Sequence, residues 1–190
     1  SFGQDAVMDR ILDGGGSLVI TQASLIENIS DIPFVHASDI WDFEGQFLSG
    51  SLTFHDEEPA ILHYTSGTTG KPKGALHCRK ALSMHESTSR EILGITPQDV
   101  YWCSADPAWV TGSSYGIFGP LQCGTAVVVS EPGYRLDSVF KTLQDFQVTI
   151  WYTSPTLLRM IMREDPSKIK KYDLSHLKSI FAVGEALNPE

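Results

Sequence analysis

The sequence has no run of about 18 consecutive apolar residues, so no segment is predicted to cross a membrane. Its first ten residues, SFGQDAVMDR, lack the apolar core of a signal peptide. Positive charge is also scarce, because 14 Lys and Arg residues stand against 23 Asp and Glu, for a net charge of −9. An acidic protein repels phosphate backbones and anionic lipids, so we expect neither nucleic acid nor membrane as a partner.

Cysteine is rare: the chain has only Cys78, Cys103 and Cys123, an odd number without the spacing of metal ligands. This pattern predicts a protein of the reducing cytoplasm, with Cys103 and Cys123 packed in the core. His77 and His85 have no third ligand nearby in the sequence, so we expect surface or helix-cap residues and no metal site.

Predicted strands and helices alternate along the 190 residues. The strands are predicted at 18–21, 34–38, 59–66, 99–105, 125–130, 148–154 and 177–184, and the first of them is expected to be buried. The helices are predicted up to residue 13 and at 23–30, 78–95, 113–124, 135–146 and 154–165. Because the strands are apolar throughout, we predict one α/β domain over 1–190, a mostly parallel sheet with helices on both faces. Ligands bind such sheets at the carboxyl ends of the strands, so we expect the loop within 63–74 and the segments 106–111 and 184–186, which follow strands, to lie at one edge and face one cleft.

The last residues, AVGEALNPE, end where a helix is predicted to begin, with Asn188 as its N-cap and Pro189 in its first turn. We therefore expect the chain to be part of a longer enzyme. Ser154 is likewise predicted to cap a helix that has Pro155 in its first position.

One segment, HYTSGTTGKPKG at 63–74, combines three glycines with hydroxyl side chains and two lysines, and it contains no carboxylate. Glycine lets backbone N–H groups approach an anion closely, and Lys71 and Lys73 add positive charge. The segment therefore predicts a loop for the phosphates of a nucleotide. It is not a Walker P-loop, because Thr65 stands where that motif has glycine and Pro72 where it has Ser or Thr.

Part of this segment, YTSGTTGKPKG, closely resembles the signature of the adenylate-forming enzymes, which include acyl-CoA synthetases, firefly luciferase and the adenylation domains of peptide synthetases. Three later blocks resemble the AMP-forming acetyl-CoA synthetase branch in the same order: YWCSADPAWVTGSSYGIFGPL, WYTSPTLLRM and SIFAVGEALNPE. The resemblance runs from about residue 59 to the last residue. Ala186 departs from it, since many acetyl-CoA synthetases have Pro there.

The resemblance implies a fragment of the large N-terminal domain, and activation of acetate or another short carboxylate in two half-reactions. The carboxylate attacks the α-phosphate of Mg²⁺-bound ATP to give an acyl-adenylate, and the thiol of coenzyme A then displaces AMP. It implies a phosphate clamp of Thr65, Ser66, Gly67, Thr68, Thr69, Gly70 and Lys71. It implies an adenine contact at Gly184, Glu185 and Ala186, and an acyl pocket of Trp109, Val110, Thr111 and Val183. The catalytic Lys, a ribose-binding Asp and the magnesium-binding Glu are expected beyond Glu190, so we expect the 190-residue chain alone to be inactive.

Two alternatives remain at this point. The pattern G-x-S-x-G at 112–116 fits a serine hydrolase with Ser114 as nucleophile, followed by Asp137 or Asp145 and by His176. The chain could instead be a non-catalytic nucleotide-binding module.

Overall fold

The computed structural model describes residues 4–21, 32–42, 53–65, 72–130 and 135–187. The chain divides into two compact units, Ser1–Cys78 and Arg79–Glu190. The predicted helix at 23–30 and the predicted helix start at Asn188 lie outside the described residues. The single domain over 1–190 stays a prediction. In the described part of the chain, no helix is both long enough and apolar enough to span a bilayer.

The first unit contains two strand pairs. Its elements are α1 (Gln4–Asp13), β1 (Val19–Thr21), β2 (Phe34–His36), a 3-10 helix (Ala37–Asp42), β3 (Pro59–Thr65) and β4 (Lys73–Cys78). Strands β1 and β2 pair in parallel, whereas β3 and β4 form an antiparallel hairpin. The prediction that the first strand is buried is wrong, because Ile20 is 57% exposed and β1 pairs with only one strand among the described residues.

The second unit is built on a four-stranded sheet. Its elements are α2 (Arg79–Glu91), β5 (Val100–Cys103), α3 (Val110–Ser113), a π-helical segment (Ser114–Phe118), α4 (Gly119–Gln122), β6 (Ala126–Val128), α5 (Leu136–Asp145), β7 (Ile150–Thr153), α6 (Pro155–Met162), α7 (Pro166–Ile169) and β8 (Ser179–Ala182). The strand order is β6-β5-β7-β8, and every pair is parallel. The predicted parallel sheet is therefore confirmed.

Both faces of this sheet are covered, because successive strand residues point to opposite sides and both sides are apolar. On one face Trp102 of β5 stacks on Trp151 of β7, with ring centroids 5.6 Å apart, against side chains of α5 and α6. On the other face Tyr101 and Cys103 pack with Cys123 and with residues that follow α2. Cys103 and Cys123 are both buried, so the prediction of core packing is confirmed.

Candidate functional site

The path of the chain through the sheet marks one crevice. After β5 the chain moves to β6 on one side of it, through α3 and α4. After β7 it moves to β8 on the other side, through α6 and α7. The connections that leave the carboxyl ends of β5 and β7 therefore diverge, and such a switch point is where open α/β sheets bind ligands.

A cavity of about 420 Å³ lies at this crevice. Its lining comes from the residues that follow β5, β7 and β8: Ser104, Ala105, Asp106, Trp109, Thr111, Tyr152, Thr153, Ser154, Val183 and Gly184. Four residues of the predicted acyl and adenine sites, Trp109, Thr111, Val183 and Gly184, are thus brought together. Val110 is not in this lining and is 44% exposed at the start of α3.

A tight turn positions Trp109. The Asp106 carboxylate accepts a hydrogen bond from the Ala108 N–H at 2.8 Å, and the Asp106 carbonyl accepts one from the Trp109 N–H at 3.0 Å. Trp109 is extended and leads directly into α3. Gly112 is required here, because a Cβ at this position would lie 2.9 Å from the Pro107 Cα and closer still to the Asp106 carbonyl oxygen.

The floor of the cavity joins three strand ends. The Ser104 hydroxyl donates to the Thr153 Oγ1 at 2.7 Å, and the Val183 N–H donates to the Thr153 carbonyl at 3.0 Å. Tyr152 also lines the cavity, and burial raises its pKa to about 12, so the phenol is neutral. Among the described lining residues Asp106 is the only one with a carboxylate, and its Oδ1 accepts the Ala108 N–H.

The remaining residues of the predicted adenine site lie beside α6. Glu185 accepts hydrogen bonds from Thr156 and Arg159, and the Ala186 carbonyl accepts one from Arg159. Ser154 caps α6 as predicted, since its hydroxyl accepts the Leu157 N–H at 3.2 Å. Thr156 and Arg159 are not among the residues predicted from the sequence, although their spacing of three residues at the start of a predicted helix places them on one face.

Most of the predicted phosphate loop, Ser66–Lys71, lies outside the described residues, whereas its base is defined. Thr65 pairs with Lys73 at the end of the β3–β4 hairpin, and its hydroxyl lies 3.5 Å from the Lys73 carbonyl oxygen. The segment thus connects two antiparallel strands, whereas a Walker loop precedes a helix. Strand β3 is anchored next to this base, because the Tyr64 hydroxyl donates to the Asp13 carboxylate of α1 at 2.7 Å.

A second cavity, of about 600 Å³, lies at the ends of β5 and β6 and shares residues 104–106 with the first. Its described lining residues include none of the predicted site residues. The smaller cavity is therefore the better candidate, because it lies at the switch point.

The serine hydrolase alternative is not favoured. Ser114 lies inside the helical run between β5 and β6, has ordinary helical backbone angles and is 3% exposed. A nucleophile elbow needs an exposed serine on a sharp turn directly after a strand. His77 is in ring contact with His63, and His85 with Tyr115. The described residues include no group of three or more His, Cys, Asp or Glu side chains that could hold a metal ion.

Comparison with known sequences identifies relatives over the whole chain. A family model described as AMP-binding enzyme matches residues 16–190. Acetyl-coenzyme A synthetase of Bacillus subtilis is 35% identical over 208 residues, which cover 100% of this chain and 36% of that protein. Acetyl-coenzyme A synthetase 2 of Pseudomonas aeruginosa is 34% identical over 226 residues, covering 100% of this chain and 35% of that protein. The chain thus spans about a third of the length of these relatives.

Solved structures share the fold. An acyl-CoA synthetase of Brucella canis superimposes with a TM-score of 0.80 at 24% identity, over 100% of this chain and 38% of that one. The anthranilate CoA ligase AuaEII, solved in complex with anthranoyl-AMP, gives a TM-score of 0.85 at 22% identity, over 98% of this chain and 38% of that one.

Proposed function

The chain belongs to the AMP-binding enzyme family, and on this premise we propose that the complete gene product activates a short carboxylate, acetate first among them, with ATP. The product would be an acyl-adenylate and pyrophosphate, and the thiol of coenzyme A would then take the acyl group and release AMP. The resemblance of the chain to adenylate-forming enzymes, based on residues 64–74 and three later blocks, agrees with this family.

The observation that carries the proposal is the cavity at the switch point. Trp109 and Val183 give it apolar walls, Thr111 adds a hydroxyl, and Gly184 leaves space for a ligand to approach the backbone. A short acyl chain fits such a wall, and the nucleotide would lie towards Gly184. The sequence relatives named acetyl-coenzyme A synthetase support acetate as the first acid to test.

The chemistry of the cavity lining agrees with this reaction. A carboxylate is ionised at neutral pH and attacks phosphorus directly, so the first step needs no protein nucleophile and no general base. It needs positioning and donors for the phosphate charge. Thr65 and the following residues to Lys71 would provide hydroxyl, backbone N–H and ammonium donors for the phosphates.

Magnesium ion would neutralise charge on the phosphates of ATP. The described residues include no group of three or more His, Cys, Asp or Glu side chains for this ion.

The test is exchange of labelled pyrophosphate into ATP by the complete gene product, with acetate, propionate, butyrate or no acid. Exchange that depends on acetate, followed by AMP formation that depends on coenzyme A, is expected. A Lys71→Ala variant is expected to lose most of the exchange, because an ammonium donor to the phosphates is gone. Absence of acid-dependent exchange in the wild-type protein would overturn the proposal.

A further inference from the structure

The segment Gly184–Ala186, which follows β8 at the cavity, is tied to the first turn of α6. The Glu185 carboxylate accepts hydrogen bonds from the Thr156 N–H at 3.0 Å, from the Thr156 hydroxyl, and from the Arg159 Nη1 at 2.9 Å. The Arg159 Nη2 donates to the Ala186 carbonyl at 2.7 Å. One guanidinium therefore bridges a side chain and a backbone group of the same segment.

Glu185 completes the cap of α6 from a distance of 29 residues along the chain. Pro155 has no N–H to satisfy, the Leu157 N–H donates to Ser154, and the Thr156 N–H donates to Glu185. The free N–H groups of a first helical turn attract a carboxylate. The hydrogen bonds from Thr156 and Arg159 lower the pKa of Glu185, so its carboxylate is charged at neutral pH.

These contacts contribute little to overall stability, because the Arg159 and Glu185 side chains are 36% and 41% exposed. Their main effect is to fix the conformation of the segment. Four hydrogen bonds fix both the side chain of Glu185 and the carbonyl of Ala186 in a segment that has no regular structure. Gly184 begins the segment with φ = +99°, a conformation that side chains other than glycine rarely adopt.

Donors remain in this segment for a ligand. The backbone N–H groups of Gly184, Glu185 and Ala186 donate to no group among the described residues. Gly184 lines the cavity. Because the Glu185 carboxylate and the Ala186 carbonyl are engaged with α6, the segment can present these N–H groups to hydrogen-bond acceptors on a flat heterocycle.

We infer that Arg159 and Thr156 are positioning residues that hold Gly184–Ala186 in the conformation that binds the base of ATP. The inference rests on the proposed function, since it needs ATP at this cavity. Neither side chain is assigned a contact with the nucleotide, and both act through Glu185 and Ala186.

The test compares Arg159→Gln, Arg159→Lys and Thr156→Val in the complete gene product. Arg159→Gln is expected to raise the KM for ATP about tenfold, with kcat and the KM for acetate nearly unchanged. Arg159→Lys is expected to fall between wild type and Arg159→Gln, because an ammonium group cannot span both acceptors. Thr156→Val is expected to raise the KM for ATP less, because its backbone N–H still reaches Glu185.

Arg163→Gln is the matched control, since Arg163 is the C-cap at the other end of the same helix, whereas Glu185 and Ala186 bind Arg159 in its first turns. It is expected to leave the KM for ATP unchanged. Hydrogen exchange of the Thr156 N–H, which donates to Glu185, provides a readout that does not need activity, and it should accelerate in Arg159→Gln and not in Arg163→Gln.

The outcomes separate the two proposals. If the wild-type protein catalyses acetate-dependent pyrophosphate exchange but Arg159→Gln has an unchanged KM for ATP, this inference is overturned and the proposed function stands. Equal increases in KM for ATP and for acetate would also overturn it, because they would indicate general loosening. Absence of wild-type exchange would overturn both.

Discussion

The carboxylate of Asp99 lies 2.9 Å from the hydroxyl of Thr149, which donates a hydrogen bond to it at the edge of the sheet opposite the cavity. Asp99 precedes β5, Thr149 precedes β7, and Lys178, which precedes β8, donates to the same oxygen at 3.0 Å. One buried carboxylate therefore joins the amino ends of three parallel strands. The alignment of these strands at this edge also sets where their carboxyl ends meet.

Asp99→Asn is expected to lower the free energy of unfolding by about 1–3 kcal/mol, because buried donors lose a charged acceptor. Burial raises the pKa of Asp99, but hydrogen bonds from Thr96, Lys178 and Thr149 outweigh it and hold the pKa at about 2. Since the pKa of Asp99 in the folded protein is below the ordinary pKa of aspartate, the stabilisation by its ionised carboxylate is present above about pH 4 and is lost as the pH falls towards 2. Urea unfolding of wild type and Asp99→Asn between about pH 7 and pH 3 measures the difference in free energy of unfolding, which should become smaller only at the acid end.

Asp145→Asn, at the exposed end of α5, is the control and should change the free energy of unfolding by less than about 0.5 kcal/mol. A difference between wild type and Asp99→Asn that is independent of pH would contradict the prediction.

Gly112→Ala is expected to destabilise the protein by about 2–4 kcal/mol, because the new methyl group would collide with the backbone at Asp106 and Pro107. Gly116→Ala is the matched control on the next turn, where a Cβ meets only the Cys103 side chain, at 3.3 Å. Gly116→Ala should leave the free energy of unfolding nearly unchanged, because the higher helix propensity of alanine offsets the slight crowding of its methyl group against Cys103. Thermal unfolding of both variants measures the difference. Similar Tm values would contradict the prediction, because they would show that the backbone at Asp106 shifts to make room for the methyl group.

Trp109→Gly is expected to change acid preference without a large cost in stability. The indole is 68% exposed, and glycine is tolerated at the start of a helix, so the free energy of unfolding should fall by less than about 1 kcal/mol. Removal of the indole opens the wall of the proposed acyl site, so kcat/KM for butyrate and hexanoate relative to acetate should rise roughly tenfold or more. Trp109→Phe keeps an aromatic wall and should keep the wild-type ranking. An unchanged ranking in Trp109→Gly would place the acyl chain elsewhere.

The 190-residue chain by itself is expected not to form acetyl-adenylate at a useful rate. The chain spans about a third of the length of its relatives, and the loss of a single electrostatic donor commonly costs about 10²–10³ in rate. Acetate-dependent pyrophosphate exchange, measured in parallel on residues 1–190 and on the complete gene product, tests this. Exchange by the shorter chain within about tenfold of the complete protein would mean that the catalytic groups lie inside these residues.

Sequence patterns predicted the second unit well because its signals are local and strong. The apolar strands at 99–105 and 148–154 have no polar face, which predicts burial on both sides and hence a parallel sheet. Ser154 followed by Pro155 predicts a capped helix from two adjacent residues. Sequence patterns predicted the strands of the first unit less well. β4 was missed because its residues KGALHC include lysine and glycine, which are uncommon in strands, and its pairing with β3 is not visible from either segment alone.

The sequence by itself determined the order of the sheet strands and main helices in the second unit, the α/β class, and the family to which the residues from about 59 onwards point. Only the tertiary structure decided that Trp109, Thr111, Val183 and Gly184 line one cavity, and that Glu185 turns towards Thr156 and Arg159. The physical reason is distance along the chain. Helix caps, turns and apolar periodicity depend on neighbours within a few residues, whereas the crevice between β5 and β7 and the contact between Glu185 and α6 depend on strand order, which no short stretch of sequence contains.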